Sequence, residues 1–175
     1  LSQIKALDQE AKEKVRQRQD MLTKPLGSLG RLEALSVQLA GITGGSFPPG
    51  AKKKVVLFAA DHGVVSEGVS AYPQEVTVQM VANIVNGGAA INVLSRQAGA
   101  DVRVIDIGVG VPLDIDGVTA AKVRPGTGNF SREEAMTRRE AEEALLVGIS
   151  AAEEEVASGT GLLATGEMGI GNTTA

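Results

Sequence analysis

The last fifteen residues of the chain, 161–175, constrain its fold more than any other stretch. They begin with a short apolar run at 161–164, which is typical of a buried strand. Glycines follow, and then polar residues at 172–174 that can cap a helix. A strand, a glycine turn and a helix start form an anion site, because glycine admits the ligand and free N–H groups point at it. The chain ends where that helix should begin, so we expect it to be part of a larger protein.

We select a phosphate- or ribose-binding set from this stretch: Gly166, Gly169, Gly171, Asn172 and Thr173. Glu167 lies between the first two of these glycines. A carboxylate is unfavourable beside amides that hold a phosphate, so Glu167 is better placed for a ribose hydroxyl or a developing cation. The glycine spacing matches neither the dinucleotide fingerprint nor the P-loop. An ordinary tight turn between strand and helix therefore remains the alternative.

The composition favours an α/β protein. The chain is 43% apolar but has only 3 Phe, 1 Tyr and no Trp, so Val, Ile, Leu and Ala must build the core. A net charge of −4 argues against nucleic acid as a partner, because phosphate backbones attract basic surfaces. The absence of Cys and the single His exclude disulfides, thiolate metal sites and a histidine metal cluster. We find no signal peptide and no apolar run of about 18 residues, so we expect a cytoplasmic protein without a membrane span.

Apolar periodicity predicts two accessory helices followed by a parallel α/β sheet. We expect residues 1–45 to belong to a small helical domain. We expect residues 53–175 to form a Rossmann-like parallel sheet with flanking helices. The predicted strands span 53–60, 102–107 and 161–165, and the predicted helices span 2–22, 28–42, 75–86, 89–97 and 131–158.

Two local patterns add detail to the second half of the chain. Residues 113–123 are predicted to form a small hairpin around the turn at Asp116-Gly117. The residues 131–134 have the form of a capping box, which predicts the start of the last helix at 131. We expect the apolar residues of that helix, among them Leu145, Ile149 and Val156, to face inward.

Asp61 and His62 follow the first predicted strand. Ligands of open α/β sheets bind beyond the carboxyl ends of the strands, so we select both as supporting site residues. Asp61 could instead be a turn residue that bonds nearby amides, and His62 could satisfy only local hydrogen bonds.

Four motifs occur in a defined order along the chain: TKPLGSLGRLE at 23–33, FAADHGVVSEGVSAYP at 58–73, GGAAIN at 87–92 and GEMGIGNTT at 166–174. Together they resemble the nicotinate-nucleotide:dimethylbenzimidazole phosphoribosyltransferase family. The resemblance covers nearly the whole chain. It implies that a benzimidazole nitrogen displaces nicotinate from nicotinate mononucleotide, giving α-ribazole 5′-phosphate and nicotinate for the lower ligand of cobalamin. It also implies a homodimer that needs no bound cofactor.

The resemblance also assigns residues. It matches Glu167 to an active-site glutamate, and it matches Tyr72, Pro73 and Gln79 to the wall that binds the base. Family members are roughly twice as long as this chain, and their general base lies in the half that is absent here. We therefore expect these 175 residues alone to be inactive.

The chemistry of such a reaction suits the selected residues. Departure of nicotinate develops positive charge at the ribose C1′, which a carboxylate stabilises. A second carboxylate can take the N–H proton of the incoming base, and an aromatic ring such as that of Tyr72 can stack on it. The alternative is a non-catalytic module that binds a nucleotide or a base. A generic sugar-phosphate enzyme is a further alternative.

Overall fold

The computed structural model describes residues 5–45 and 50–175. The chain divides into two compact units, Leu1–Ala51 and Lys52–Ala175. The first unit contains two helices, α1 (Gln9–Asp20) and α2 (Arg31–Thr43).

Both helices of the first unit begin later than the sequence predicted. Asp8 caps α1, because its Oδ1 accepts a hydrogen bond from the Ala11 amide at 2.9 Å. Residues 2–4 of the predicted helix lie outside the described residues. Ser28 does not cap α2, which starts after Gly30 without a side-chain cap. Glu33 instead holds the turn before α2, because its carboxylate accepts from the Leu29 amide at 3.1 Å and from Lys24 at 2.7 Å.

In the described part of the second unit, the strands form one sheet in which every pairing is parallel. The strand order is β3-β2-β1-β4, with β1 at Lys52–Ala60, β2 at Ala100–Gly108, β3 at Val118–Ala120 and β4 at Thr160–Met168. The predicted parallel α/β fold is therefore confirmed. The continuous apolar run of β1 suits a parallel strand that is covered on both faces, whereas the run at 161–164 in β4 is exposed, so the expectation of a buried strand there is wrong.

The predicted hairpin at 113–123 is wrong. Residues 118–120 form β3, which pairs parallel to β2 with Val104 opposite Val118. The chain from 109 to 117 acts as a crossover, and its Leu113 and Ile115 pack on the core instead of forming a strand. After the turn at Gly117 the chain runs parallel to β2 and not antiparallel to it, because Leu113 and Ile115 pack on the core and leave no strand for β3 to pair with in a hairpin.

Helices cover the two faces of the sheet. Helices α3 (Val76–Val85) and α4 (Ala90–Ala98) lie on one face, and α5 (Arg138–Ala157) lies on the other. Successive residues of β1 point to opposite faces, so Leu57 joins the cluster with α3 and Val56 joins the cluster with α5. Residues 76–98 are together long and apolar enough to cross a membrane, but the chain breaks between α3 and α4 and the buried residues pack on the sheet.

Helix α5 begins seven residues later than predicted, at Arg138. The effective capping box is Thr137 with Glu140, whose Oε2 accepts from the Thr137 amide at 2.7 Å. The pair at Ser131 and Glu134 lies in an irregular segment before it. The apolar residues at 145, 149 and 156 do not face inward, since they are 69%, 54% and 66% exposed.

Ion pairs explain which face of α5 meets the sheet. Glu155 is 5% exposed and lies beside Arg103 of β2 at 3.1 Å and Lys54 of β1 at 3.5 Å. Burial opposes the ionisation of Glu155, but the hydrogen bond from Arg103 and the charge of Lys54 outweigh it, and the pKa of Glu155 is lowered. Ala151 lies one turn earlier on the same face and is buried. The helix is therefore oriented by charge as well as by apolar periodicity.

Candidate active site at the carboxyl ends of the strands

The parallel strands β1 and β4 are neighbours, so their carboxyl ends bring Asp61, His62 and Glu167 to the same end of the sheet. Strand β4 continues to Met168, three residues beyond its predicted end at 165, so Gly166 and Glu167 lie on the strand and not in the turn. A Cβ at Gly166 would make only ordinary contacts, the nearest at 3.7 Å to Ile91. Neither the space around Gly166 nor the turn therefore requires a glycine at this position.

Glu167 is exposed near the end of β4. In the sheet register it stands opposite Phe58 of β1, and Phe58 packs in the cluster under α5. Met168 stands opposite Ala59 and packs with the cluster under α3. Because side chains alternate along a strand, the carboxylate of Glu167 lies on the α5 side of the sheet.

The turn after β4 is built around Gly169 and Gly171. A Cβ at Gly169 would overlap the carbonyl oxygen of Ala60 and would lie 2.9 Å from Nε2 of His62. Gly171 has a φ of 88°, and a Cβ there would lie 2.7 Å from Val65. Both positions therefore require glycine, and the His62 ring lies against the turn.

Thr77 of α3 anchors this turn, and the sequence did not single it out. Its side chain is fully buried, and its Oγ1 accepts a hydrogen bond from the Ile170 amide at 3.1 Å. A lone Thr on the apolar face of α3 is the signal that could have found it. The contact fixes the turn relative to the sheet and to α3.

The backbone after Gly171 has the hydrogen-bond pattern of a first helical turn. The Gly171 carbonyl accepts from the Thr174 amide at 3.0 Å and the Ala175 amide at 3.2 Å. Within the described residues, the amides of Gly171 and Thr173 make no hydrogen bond. Amides at such a position can bind an anion, and the phosphate or ribose site expected for this set stays a prediction.

The carboxyl ends of the strands also border a cavity of about 670 Å³, which lies between α3 and the loops after β1 and β2. Asp61 and Gln79 both line it, together with Val78, Gly110 and Val111. Tyr72, which is 65% exposed, and Pro73, Glu167 and His62 are not among the residues that line it. The structure thus places Asp61 and Gln79 at this cavity and His62 at the glycine turn that follows Glu167, whereas it brings Tyr72 and Pro73 to neither group.

Asp61 organises the loops that form the cavity. It is 3% exposed, and its Oδ2 accepts from the Gly110 amide at 2.7 Å. The backbone of Asp61 bonds to Gly108 and Thr127, which belong to the segments on either side of β3. Among the described residues, its Oδ1 has no hydrogen-bond partner. Asp61 therefore holds three loops together, and one of its buried oxygens is left without a donor.

A clasp joins the loop after β1 to the segment that precedes α5. The side-chain amide of Asn129 donates to Oε1 of Glu67 at 2.6 Å, and Nε of Arg132 lies 2.8 Å from the same oxygen. The hydrogen bond from Asn129, followed by that from Arg132, lowers the pKa of Glu67. Thr127 strengthens the clasp, since its Oγ1 accepts from the Gly63 amide at 3.2 Å. Two walls of the cavity are thereby fixed to each other.

In residues 5–45 and 50–175, no group of three or more His, Asp or Glu side chains is arranged to hold a metal ion.

Comparison with known proteins places the chain in a family. A family model described as Phosphoribosyltransferase (DBI_PRT) matches residues 4–175. The nicotinate-nucleotide–dimethylbenzimidazole phosphoribosyltransferase of Chloroflexus aggregans is 55% identical over 176 aligned positions, covering 100% of this chain and 50% of the relative. The enzyme of that name from Halalkalibacterium halodurans is 51% identical and covers 100% of this chain and 49% of the relative.

A solved structure agrees. The crystal structure of the nicotinate-nucleotide-dimethylbenzimidazole phosphoribosyltransferase from Thermus thermophilus superposes with a TM-score of 0.91 at 52% identity. The match covers 96% of this chain and 51% of that structure, so the chain spans about half the length of the relatives it matches. From the family model, the identity and the shared fold, the chain belongs to this phosphoribosyltransferase family.

Proposed function

We propose that the protein to which this chain belongs transfers a phosphoribosyl group from nicotinate mononucleotide to 5,6-dimethylbenzimidazole. The products are α-ribazole 5′-phosphate and nicotinate, and the reaction serves assembly of the lower ligand of cobalamin. One observation carries the proposal: Glu167 is the penultimate residue of the parallel strand β4, and the turn that follows contains two glycines that cannot be replaced. That arrangement offers a carboxylate for the ribose of a sugar phosphate and, after it in the chain, free amides for the phosphate.

The glycine turn is the proposed phosphate site. The amides of Gly171 and Thr173 are available, and Gly169, Asn172 and the strand residue Gly166 complete the set. With the phosphate held there, Glu167 would stand on the ribose side. His62, which lies against Gly169, would support the turn.

Glu167 is the proposed stabiliser of the transition state. Cleavage of the bond between C1′ and nicotinate leaves positive charge on the ribose, and a fixed carboxylate is worth most at that moment. The proton on the attacking base needs a general base, which we place in the part of the longer relatives that this chain does not span. The bond from the benzimidazole nitrogen to C1′ forms as the bond to nicotinate breaks.

The 670 Å³ cavity is the proposed site for the base. Its lining combines apolar residues such as Val78 and Val111 with the polar side chain of Gln79, and this combination suits a flat, mostly apolar heterocycle. Tyr72 and Pro73 lie on the exposed segment before α3 and are proposed to close over the base by stacking. Asp61 supports the cavity through its hydrogen bond to Gly110.

The proposal extends to the domain organisation, the partners and the location of the protein. We propose that the first unit belongs to a small helical domain and that the second is part of a larger α/β domain, since the relatives are about twice as long. We also propose a cytoplasmic homodimer whose partners are small molecules, with neither nucleic acid nor membrane. The net charge of −4 supports the exclusion of nucleic acid.

A non-catalytic module that captures a nucleotide or a base is the second candidate. It is favoured for these 175 residues in isolation, because they span about half the length of the matched relatives.

Incubation of the full-length protein with nicotinate mononucleotide and 5,6-dimethylbenzimidazole tests the proposal. Mass spectrometry should detect α-ribazole 5′-phosphate and nicotinate in equal amounts. Binding of both compounds without either product would favour the module. Absence of both binding and product would overturn the proposed function.

A further inference from the structure

Residues 108–111 form a loop that starts at Gly108, the last residue of β2, and it contributes Gly110 and Val111 to the wall of the 670 Å³ cavity. Its sequence is Gly-Val-Gly-Val, so it has no polar side chain with which to fix its own backbone. Two glycines also give it a large conformational freedom in the absence of other contacts. The shape of this wall therefore depends on side chains outside the loop.

Carboxylates hold the amides of the loop. Oδ1 of Asp106, at the end of β2, accepts from the Val109 amide at 2.9 Å. Oδ2 of Asp61 accepts from the Gly110 amide at 2.7 Å. Both carboxylates are buried, at 4% and 3% exposure, so these bonds are shielded from water.

Lys122 holds the carbonyls of the same loop. Its Nζ donates to the carbonyl oxygens of Val109 and Val111, each at 2.6 Å, and lies 3.2 Å from Oδ2 of Asp106. The ammonium thus makes two hydrogen bonds to the loop and one ion pair with Asp106. One side chain thus binds the loop on both sides of Gly110 and neutralises the carboxylate that holds the Val109 amide.

Removal of the Lys122 ammonium would change the shape of the cavity wall. Val109 is fully buried, so its carbonyl would lose its donor where water does not replace it, and Asp106 would keep a buried charge without its cation. The loop would relax toward water, and Gly110 would move relative to Asp61. Both of these residues line the cavity.

We propose that Lys122 is a positioning residue for the base. It does not touch the substrate; it fixes the loop 108–111 and through it the wall that Gly110, Val111 and Asp61 form. This inference rests on the proposed function, in which the same cavity receives 5,6-dimethylbenzimidazole.

The test compares Lys122→Met with a matched control, Lys54→Met, in the full-length protein. Lys54 has a similar side-chain exposure, 18% against 25%, and it also pairs with a buried carboxylate, that of Glu155. It lies near the start of β1, at the opposite end of the sheet from the site. A variant Lys122→Arg keeps a cation with several donors at the same place.

For Lys122→Met, we expect the KM for the base to rise about tenfold. A displacement of about 1 Å in a binding site can cost up to about 100-fold in rate, so this expected effect is moderate. The KM for nicotinate mononucleotide should change by less than about twofold, since that substrate is assigned to the other group of residues. Lys122→Arg should recover most of the affinity for the base, and Lys54→Met should leave both KM values unchanged while lowering the melting temperature.

Hydrogen exchange of the backbone amides supplies a readout that needs no catalysis. Peptides containing 108–111 should exchange on the order of tenfold faster in Lys122→Met than in the wild type or in Lys54→Met. If exchange or the KM for the base is unchanged, or if both KM values rise equally, the inference is wrong. If the wild type forms no product, the proposed function fails. In that case, titration calorimetry compares the affinity of the wild type and of Lys122→Met for 5,6-dimethylbenzimidazole. A weaker affinity in the variant supports the role of Lys122, and an unchanged affinity overturns it.

Discussion

Replacement of Gly169 by alanine tests whether the glycine turn is as tightly built as its geometry indicates. A Cβ at this position would overlap the carbonyl oxygen of Ala60 and approach the His62 ring at 2.9 Å. The carbonyl cannot retreat easily, because it belongs to the end of a central strand. The turn must therefore move away from β1, which strains the hydrogen bond from the Ile170 amide to Thr77.

The expected magnitude combines two opposing effects. Gly→Ala normally stabilises a protein by about 0.4–1 kcal/mol, because it reduces the freedom of the unfolded chain. Forcing a methyl group into occupied space costs about 1–3 kcal/mol. The clash is with backbone, so the second effect should win, and we expect a net loss of about 1–2 kcal/mol.

Urea unfolding and substrate kinetics of the full-length protein measure both consequences. Gly148→Ala is the matched control, because a Cβ there meets no atom within 4 Å and the residue lies inside α5. It should gain about 0.5–1 kcal/mol. Gly169→Ala should also raise the KM for nicotinate mononucleotide about tenfold, because the phosphate amides move. Wild-type stability and an unchanged KM in Gly169→Ala would refute the reasoning.

Two further predictions concern the base wall and the isolated chain. Tyr72→Ala in the full-length protein should raise the KM for the base with little change in turnover, because stacking on the base is lost. Initial rates at varied base concentration measure this, and a fall in turnover with an unchanged KM would contradict it. A protein of these 175 residues should associate or unfold readily and show little activity, since the edge of β4 and the apolar side chains at 145, 149 and 156 are exposed. Light scattering and a thermal melt check this, and a monomer that melts cooperatively would contradict it.

The main strands could be predicted from the sequence, and the reason is physical. Strand β1 contains a continuous apolar run, which suits burial on both faces. The three-residue strand β3 could not be predicted, because its pairing depends on a crossover held by Leu113 and Ile115 in the core. The start of α5 was misplaced since two capping boxes compete within ten residues of sequence, and local pattern alone does not rank 131 against 137.

The site was predictable in its location more than in its contacts. Strand ends that carry Asp61 and Glu167 identify the edge of the sheet from sequence alone. The roles of Thr77 and Lys122 were not visible, because each acts through a backbone group distant in sequence: Thr77 through Ile170, and Lys122 through Val109 and Val111. The end of β4 was also misjudged, since a glycine within a strand looks like the start of a turn.

Steady-state kinetics of Glu167→Gln in the full-length protein, with both substrates varied, test the central claim most directly. Glu153→Gln, on the exposed face of α5, is the matched control and should behave as the wild type. If Glu167 stabilises charge at C1′, turnover should fall about 10²–10³-fold, the loss typical of removing one electrostatic contact to a transition state. The KM for nicotinate mononucleotide should then change by less than about threefold, because the missing charge acts after binding. Wild-type turnover in Glu167→Gln would contradict the account and would leave Glu167 as a strand residue beside the turn.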